Sequence, residues 1–149
     1  MEPLKELYLS KKMANQYLYM GVAALVLGLL ALVSIGNGTL LGLGTLFTTM
    51  GMLNRNLKIV KIYSQYLEIK LGIIASKKLM KYDQITSFSI DKKAILIQYK
   101  TEKNESKKVK FLIKALEKED LLELDKILQD KTDLDASNTI VQADVSIQH

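Results

Sequence analysis

YLYMGVAALVLGLLALVSI at residues 17–35 and TLLGLGTLFTTMGML at residues 39–53, joined by Gly36-Asn37-Gly38, decide how this chain is organised. They lie within residues 13–54, forty-two positions without a charged side chain, in a protein where 25% of residues are charged. As a helix rising ~1.5 Å per residue, the first run spans about 28 Å, close to the ~30 Å hydrocarbon core of a bilayer. The second is shorter, and Gly38 and Asn54 complete it at its ends. Gly-Asn-Gly supplies residues that tolerate positive φ, as a tight reversal requires. The simplest reading is a transmembrane helical hairpin. A cleaved signal peptide fits poorly: Glu2 and Glu6 dilute the basic start, no A-x-A site follows, and a second apolar run comes at once. A re-entrant hairpin and a buried helix pair in a soluble core are the other readings, although soluble-core helices rarely lack charge all round.

Working outward, the flanks set an orientation. Lys11 and Lys12 precede the first run, Arg55, Lys58 and Lys61 follow the second, and the turn at 36–38 is uncharged. Lys and Arg near membrane spans stay on the cytoplasmic side, so both termini are expected inside and Asn37 outside. Residues 1–16 then form a short cytoplasmic lead and residues 17–54 the hairpin, in the plasma membrane as a multi-pass protein. Within the hairpin, Gly21, Ala24, Gly28 and Ala31 fall on one stripe of the first helix, and Gly44, Thr48 and Gly51 on one stripe of the second. Small residues let membrane helices approach closely, so these stripes either close the hairpin or face another subunit. No ionisable residue lies inside the runs, which argues against a proton relay or ion pathway through this chain alone.

Beyond residue 57 the period changes. Leu67, Ile69 and Leu71 alternate with polar neighbours, as do Ile95, Ile97 and Tyr99, and then Val109, Phe111 and Ile113. Period two with β-branched and aromatic residues predicts half-buried antiparallel strands. Residues 57–62, 77–80 and 85–90 are further strand candidates, and the short breaks describe a meander of hairpins. Residues 117–130 read as one helix: Leu121, Leu124 and Leu128 share a face with Ile127 beside it, and Glu117, Glu119 and Asp120 suit the first turn. Residues 132–149 lack sustained periodicity and are expected to form a flexible tail.

A membrane hairpin, about six short strands and one amphipathic helix resemble the bacterial pleckstrin-homology-like (PH-like) domains that follow a pair of transmembrane helices. The likeness is carried by Leu71-Gly72-Ile73-Ile74, by Lys77-Lys78-Leu79-Met80-Lys81-Tyr82-Asp83-Gln84-Ile85, and by the closing Leu-rich helix. Tyr82 stands where many members of that family have Pro, and that fold has seven strands against the six counted here. The resemblance implies an α+β membrane protein in which residues 55–131 form a small antiparallel PH-like β-barrel, capped by the C-terminal helix.

The net charge of +5 is unevenly spread: residues 55–114 carry fifteen Lys or Arg against five Asp or Glu, and residues 115–149 three against nine. An anionic membrane surface is the partner such a basic segment suits, through Arg55, Lys58 and Lys61 next to the span and Lys77, Lys78 and Lys81 further on; simple topogenic flanking is the plainer account. No recognition motif accompanies the charge, so nucleic acid is not the expected partner. The chain has no Cys and one His, His149, which leaves little for zinc or a His-based triad. Gly42-x-Gly44 lies inside an apolar run and is no phosphate loop, and Glu102 and Glu105 share a polar loop with Lys103 and Lys107 rather than forming an acid/base pair. Neither an enzyme, a cofactor nor a metal site is expected. Two functions stay open: a membrane-anchored interaction module engaging a protein partner, a second copy or anionic lipid headgroups, and an accessory subunit of a larger membrane complex.

Overall fold

The computed structural model describes residues 2–134, and the backbone of Ser137 and Asn138. It is an α+β chain in two compact units, one of residues 8–57 and one of residues 1–7 together with Lys58 onward. In chain order the elements are β1 (Lys5–Tyr8), α1 (Lys11–Ile35), α2 (Thr39–Arg55), β2 (Lys58–Ile62), β3 (Tyr66–Ile69), β4 (Lys78–Lys81), β5 (Ile85–Ile90), β6 (Ala94–Lys100), β7 (Ser106–Leu112), α3 (Lys118–Thr132) and the two-residue β8 (Ser137–Asn138).

The helical unit follows from its composition. Ser10 caps α1 by accepting a hydrogen bond from the Met13 amide at 3.3 Å, so the helix starts at Lys11, six residues before the apolar run. It ends at Gly36, whose φ of 66° is the left-handed conformation that glycine takes without strain. Asn37 then accepts from the Thr39 amide at 2.9 Å and helps start α2. The two helices run antiparallel in close contact. A Cβ on Gly21 would meet Thr48 at 2.4 Å, one on Gly28 would meet Leu41 at 2.6 Å, one on Gly44 would meet Leu25 at 2.6 Å, and one on Gly51 would meet Leu18 at 2.7 Å. As the number rises on one helix it falls on the other. The glycines of both stripes therefore lie between the two helices, and Thr48 hydrogen-bonds back to the Gly44 carbonyl at 2.8 Å. Almost everything else on α1 faces outward: its buried residues are Ala14, Gly21 and Gly28, while Tyr19 is 69% exposed and Val33 86%.

The second unit carries two antiparallel sheets. One has the order β1-β2-β3-β4, the other β7-β6-β5 with β8 laid parallel on β5. The registers Leu67↔Met80, Ile95↔Phe111 and Ile97↔Val109 place the alternating apolar residues together. Leu67, Ile69, Met80, Ile95, Ile97 and Val109 are completely buried, as are Leu124 and Leu128 of α3.

Five expectations are corrected. The lead does not stop at a cytoplasmic flank: Lys5–Tyr8 is a strand beside β2, with the Leu4 amide on the Ile62 carbonyl at 2.8 Å and Leu7 fully buried. The β unit thus starts before the helices, not at residue 55, and the helical unit is inserted between its first two strands. Leu71 is 39% exposed because β3 ends at Ile69, and Glu68, expected on the solvent side, is buried. Ile113 lies in a short 3₁₀ turn after β7 and is only half-buried. The sheets do not close into a barrel; a cleft opens between β3–β4 and the β6–β7 turn instead. The expected tail falls mostly outside the described residues. Within them, α3 runs to Thr132, and Asp133 closes it in the left-handed conformation, donating its amide to the Gln129 carbonyl at 3.1 Å.

Candidate functional site

The six basic residues singled out from the sequence are not brought together. Arg55 is the exposed last residue of α2, in the helical unit. Lys58 and Lys61 both turn to Glu6 of β1, at 2.7 and 3.8 Å. Lys77 pairs at 3.3 Å with the buried carboxylate of Glu68, which explains how that carboxylate is tolerated inside the sheet. Lys81 reaches Glu102 at 3.6 Å. Lys78 and Lys81 sit at opposite ends of β4, opposite Ile69 and Tyr66 respectively. Of the five on the β unit, only Lys78 has no carboxylate partner among the described residues. The strand pairing that builds the unit consumes most of this charge: β1 delivers Glu6 to β2, and β3 delivers Glu68 to the start of β4.

Two depressions on the β unit bear on a binding role. The cleft between the sheets has a volume of about 570 Å³. Tyr66, Leu79, Met80 and Tyr99 line it, and Lys81, Glu102, Lys103, Glu105 and Lys107 surround them. Its two carboxylates are exposed and already engaged, Glu102 by Lys81 and Glu105 by Lys107 at 3.5 Å, which leaves Lys103 as the one surplus charge over an aromatic and thioether floor. The second depression, about 600 Å³, lies on the outer face of β6 and β7 and the turn before β6. Lys92, Lys93, Lys108 and Lys110 line it with Asp91, Leu96 and Gln98. All four lysines are exposed, and none has a carboxylate partner among the described residues. Sequence reading missed this surface. The signal was present in Lys108-x-Lys110, two residues apart on one strand face, and in the Asp91-Lys92-Lys93 turn that closes the neighbouring hairpin.

Away from these surfaces, Tyr82 donates its hydroxyl to the Tyr63 carbonyl at 3.0 Å, and burial pushes its phenol up to about 12. Asp120, in the first turn of α3, is raised by desolvation against the pull of Lys5. Lys5 also pairs with Glu123, which fastens β1 to α3. Among the described residues, no group of three or more His, Cys, Asp or Glu is placed to hold a metal ion. The chain matches no family model, and neither a curated protein nor a solved structure is detectably similar to it.

Proposed function

We propose that this chain is a membrane-anchored interaction module in the plasma membrane: α1 and α2 cross the bilayer as a hairpin, and the β unit is held at its cytoplasmic face. One observation carries the reading. The Leu9 amide, just before α1, donates to the Leu57 carbonyl, just after α2, at 2.9 Å. The outer ends of the two helices are therefore side by side, so either both helices cross a membrane or neither does. By length and composition α1 alone qualifies as a span; α2, at 17 residues, reaches about 25 Å. The aliphatic surface on both helices supports crossing over standing in water. Val26, Leu30, Val33 and Ile35 of α1 and Leu46, Met52 and Leu53 of α2 are all more than half exposed, far more contiguous apolar surface than soluble monomers leave uncovered.

The β unit fits the PH-like resemblance better with β1 included, since seven strands in sets of four and three then precede α3. Fold does not fix function, and the argument for a binding role rests on the unit's surfaces. The small-residue stripes that could have met another subunit are used between α1 and α2.

The test is excision of the helical unit. Joining residues 1–9 to 57–149 through Asn-Gly, a pair suited to a two-residue hairpin turn, is expected to convert a protein that resists alkaline extraction from membranes into a soluble one with intact β structure. A full chain released from membranes by alkali, or an excised chain that stays in the membrane fraction, would overturn the proposal.

A further inference from the structure

The unpaired lysines on the second sheet have a geometry that the ion-paired ones lack. On the outer face of β5, β6 and β7, two cross-strand rows can be read from the register: Ser89, Leu96 and Lys110 in one, Ser87, Gln98 and Lys108 in the next, as far as the described residues go. Neither row contains a carboxylate. Successive rows on a strand face are ~7 Å apart, so Lys108 and Lys110 stand side by side on the edge strand. Lys92 and Lys93 project from the turn leading into β6, at the same depression. Asp91 is the only acid there among the described residues, against four ammonium groups. Ser87, Ser89 and Gln98 are short or uncharged, which keeps the centre of the face low and leaves the lysine heads as its highest points. Four like charges on one face repel one another, and a bound anion relieves that repulsion beyond what solvent screening does. Elsewhere on this unit Lys5, Lys58, Lys61, Lys77, Lys81 and Lys107 face carboxylates of the chain, whereas the four lysines of this depression have none among the described residues.

We infer that this lysine face, built from Lys92, Lys93, Lys108 and Lys110 across the β5–β7 sheet, is a docking surface for the phosphate-bearing headgroups of an anionic bilayer. The inference rests on the membrane-anchored reading above. Three observations select a bilayer as the occupant. The surface is a shallow sheet face and not a closed pocket, so it suits an array of anions more than one small molecule. Leu96 is the only apolar side chain among the lining residues apart from Ala94, so little favours an apolar protein partner. Only two residues separate β1 from α1, and two separate α2 from β2, so the unit is confined close to any membrane its helices enter. Confinement raises the effective concentration of headgroups enough for lysines that are individually weak binders to act together. Lys77 and Lys81, already held by Glu68 and Glu102, contribute less.

The experiment uses the full chain in lipid nanodiscs. The protein has no Cys, so Glu105→Cys, on the exposed β6–β7 turn and outside both rows, provides a single attachment point for a fluorophore. Quenching by an acceptor on the lipid headgroups then reports docking. The expected result is quenching that rises when anionic lipid replaces part of a zwitterionic bilayer and falls away in roughly molar salt, where the screening length shrinks to ~3 Å. Each Lys→Gln change in the set is expected to lower the docked-to-undocked ratio up to about fivefold, and Lys92→Gln, Lys93→Gln, Lys108→Gln and Lys110→Gln together by more than tenfold. The triple change Lys77→Gln, Lys78→Gln and Lys81→Gln, which removes three charges from and beside the other sheet, serves as the comparison and is expected to cost no more than a single member of the set. Quenching indifferent to lipid charge, or a quadruple variant that behaves like wild type, would overturn the inference. So would capture of an acidic peptide by this face with no response to lipid. A chain that fails to enter nanodiscs at all would instead refute the membrane anchor on which the inference rests.

Discussion

Gly42 and Gly44 stand two residues apart on α2, and the same substitution at each is expected to have opposite effects. A Cβ at Gly44 would lie 2.6 Å from the Leu25 amide nitrogen, 2.8 Å from the Leu25 Cγ and 3.0 Å from the Ala24 carbonyl carbon. Two of those three atoms are backbone, so a rotamer change cannot clear them. Ordinary contact begins near 3.4 Å. The helices would therefore separate by roughly 0.8 Å, loosening the neighbouring contacts at Gly21, Gly28 and Gly51, and overpacking of this kind costs ~1–3 kcal/mol. At Gly42 an added Cβ meets nothing within 4 Å. There the substitution keeps only its backbone benefit, at most ~1 kcal/mol in favour of the helix. The assay is titration with a denaturing detergent, following energy transfer between fluorophores on Lys12→Cys and Arg55→Cys at adjacent helix ends. Gly44→Ala is expected to separate the helices at lower detergent than wild type, and Gly42→Ala at equal or higher detergent. Equal shifts for the two, or a larger loss at Gly42, would refute the claim that backbone approach at the glycines holds the pair together.

Two further outcomes concern the β unit. Leu7→Ala removes a completely buried side chain from β1 and is expected to cost ~2–5 kcal/mol in thermal or denaturant unfolding; a loss well below ~1 kcal/mol would mean β1 is not part of this core. Tyr82 binds its proton more tightly in the folded chain, up to about 12 against 10.0 for the free phenol, so its contribution is fully present below pH 10 and is lost as pH rises toward 12. Tyr82→Phe is expected to flatten the fall in stability across that window while lowering stability at neutral pH, because the Tyr63 carbonyl loses its donor; an unchanged alkaline limb would assign that loss to other groups.

The parts of the fold that composition or period alone dictates were legible in the sequence. Forty-two uncharged residues mark the helical unit, and the alternation of Ile95, Ile97 and Tyr99 or of Val109 and Phe111 marks β6 and β7. What was not legible depends on contacts distant in sequence. β1 is four residues, Lys-Glu-Leu-Tyr, half of them charged, and its partner strand begins only after both helices have been threaded. Nothing local marks Leu7 as core. Alternation assigned Glu68 to a side of β3 but not to a depth, and its burial becomes intelligible only once Lys77 is seen beside it. The six basic residues read as one surface are dispersed for the same reason. A sequence counts lysines, whereas a binding surface depends on which of them lack a partner, and Glu6 and Glu68 neutralise residues that stood out by position. Lys108 and Lys110 could have been grouped by their spacing. Their common face with Lys92 and Lys93 follows from the β5–β6–β7 register, which the sequence does not print.

The central claim is that the chain crosses the membrane twice and that both outer helix ends lie on the cytoplasmic side. It is tested most directly by labelling single cysteines in intact cells with a membrane-impermeant thiol reagent, against a background that contains no native Cys. Asn37→Cys, between α1 and α2, and Glu105→Cys, at the exposed β6–β7 turn, are the two probes. Position 37 is expected to be labelled from outside, and position 105 only after the membrane is permeabilised. Labelling of position 105 from outside, or protection of position 37 until the same permeabilisation that exposes 105, would contradict it.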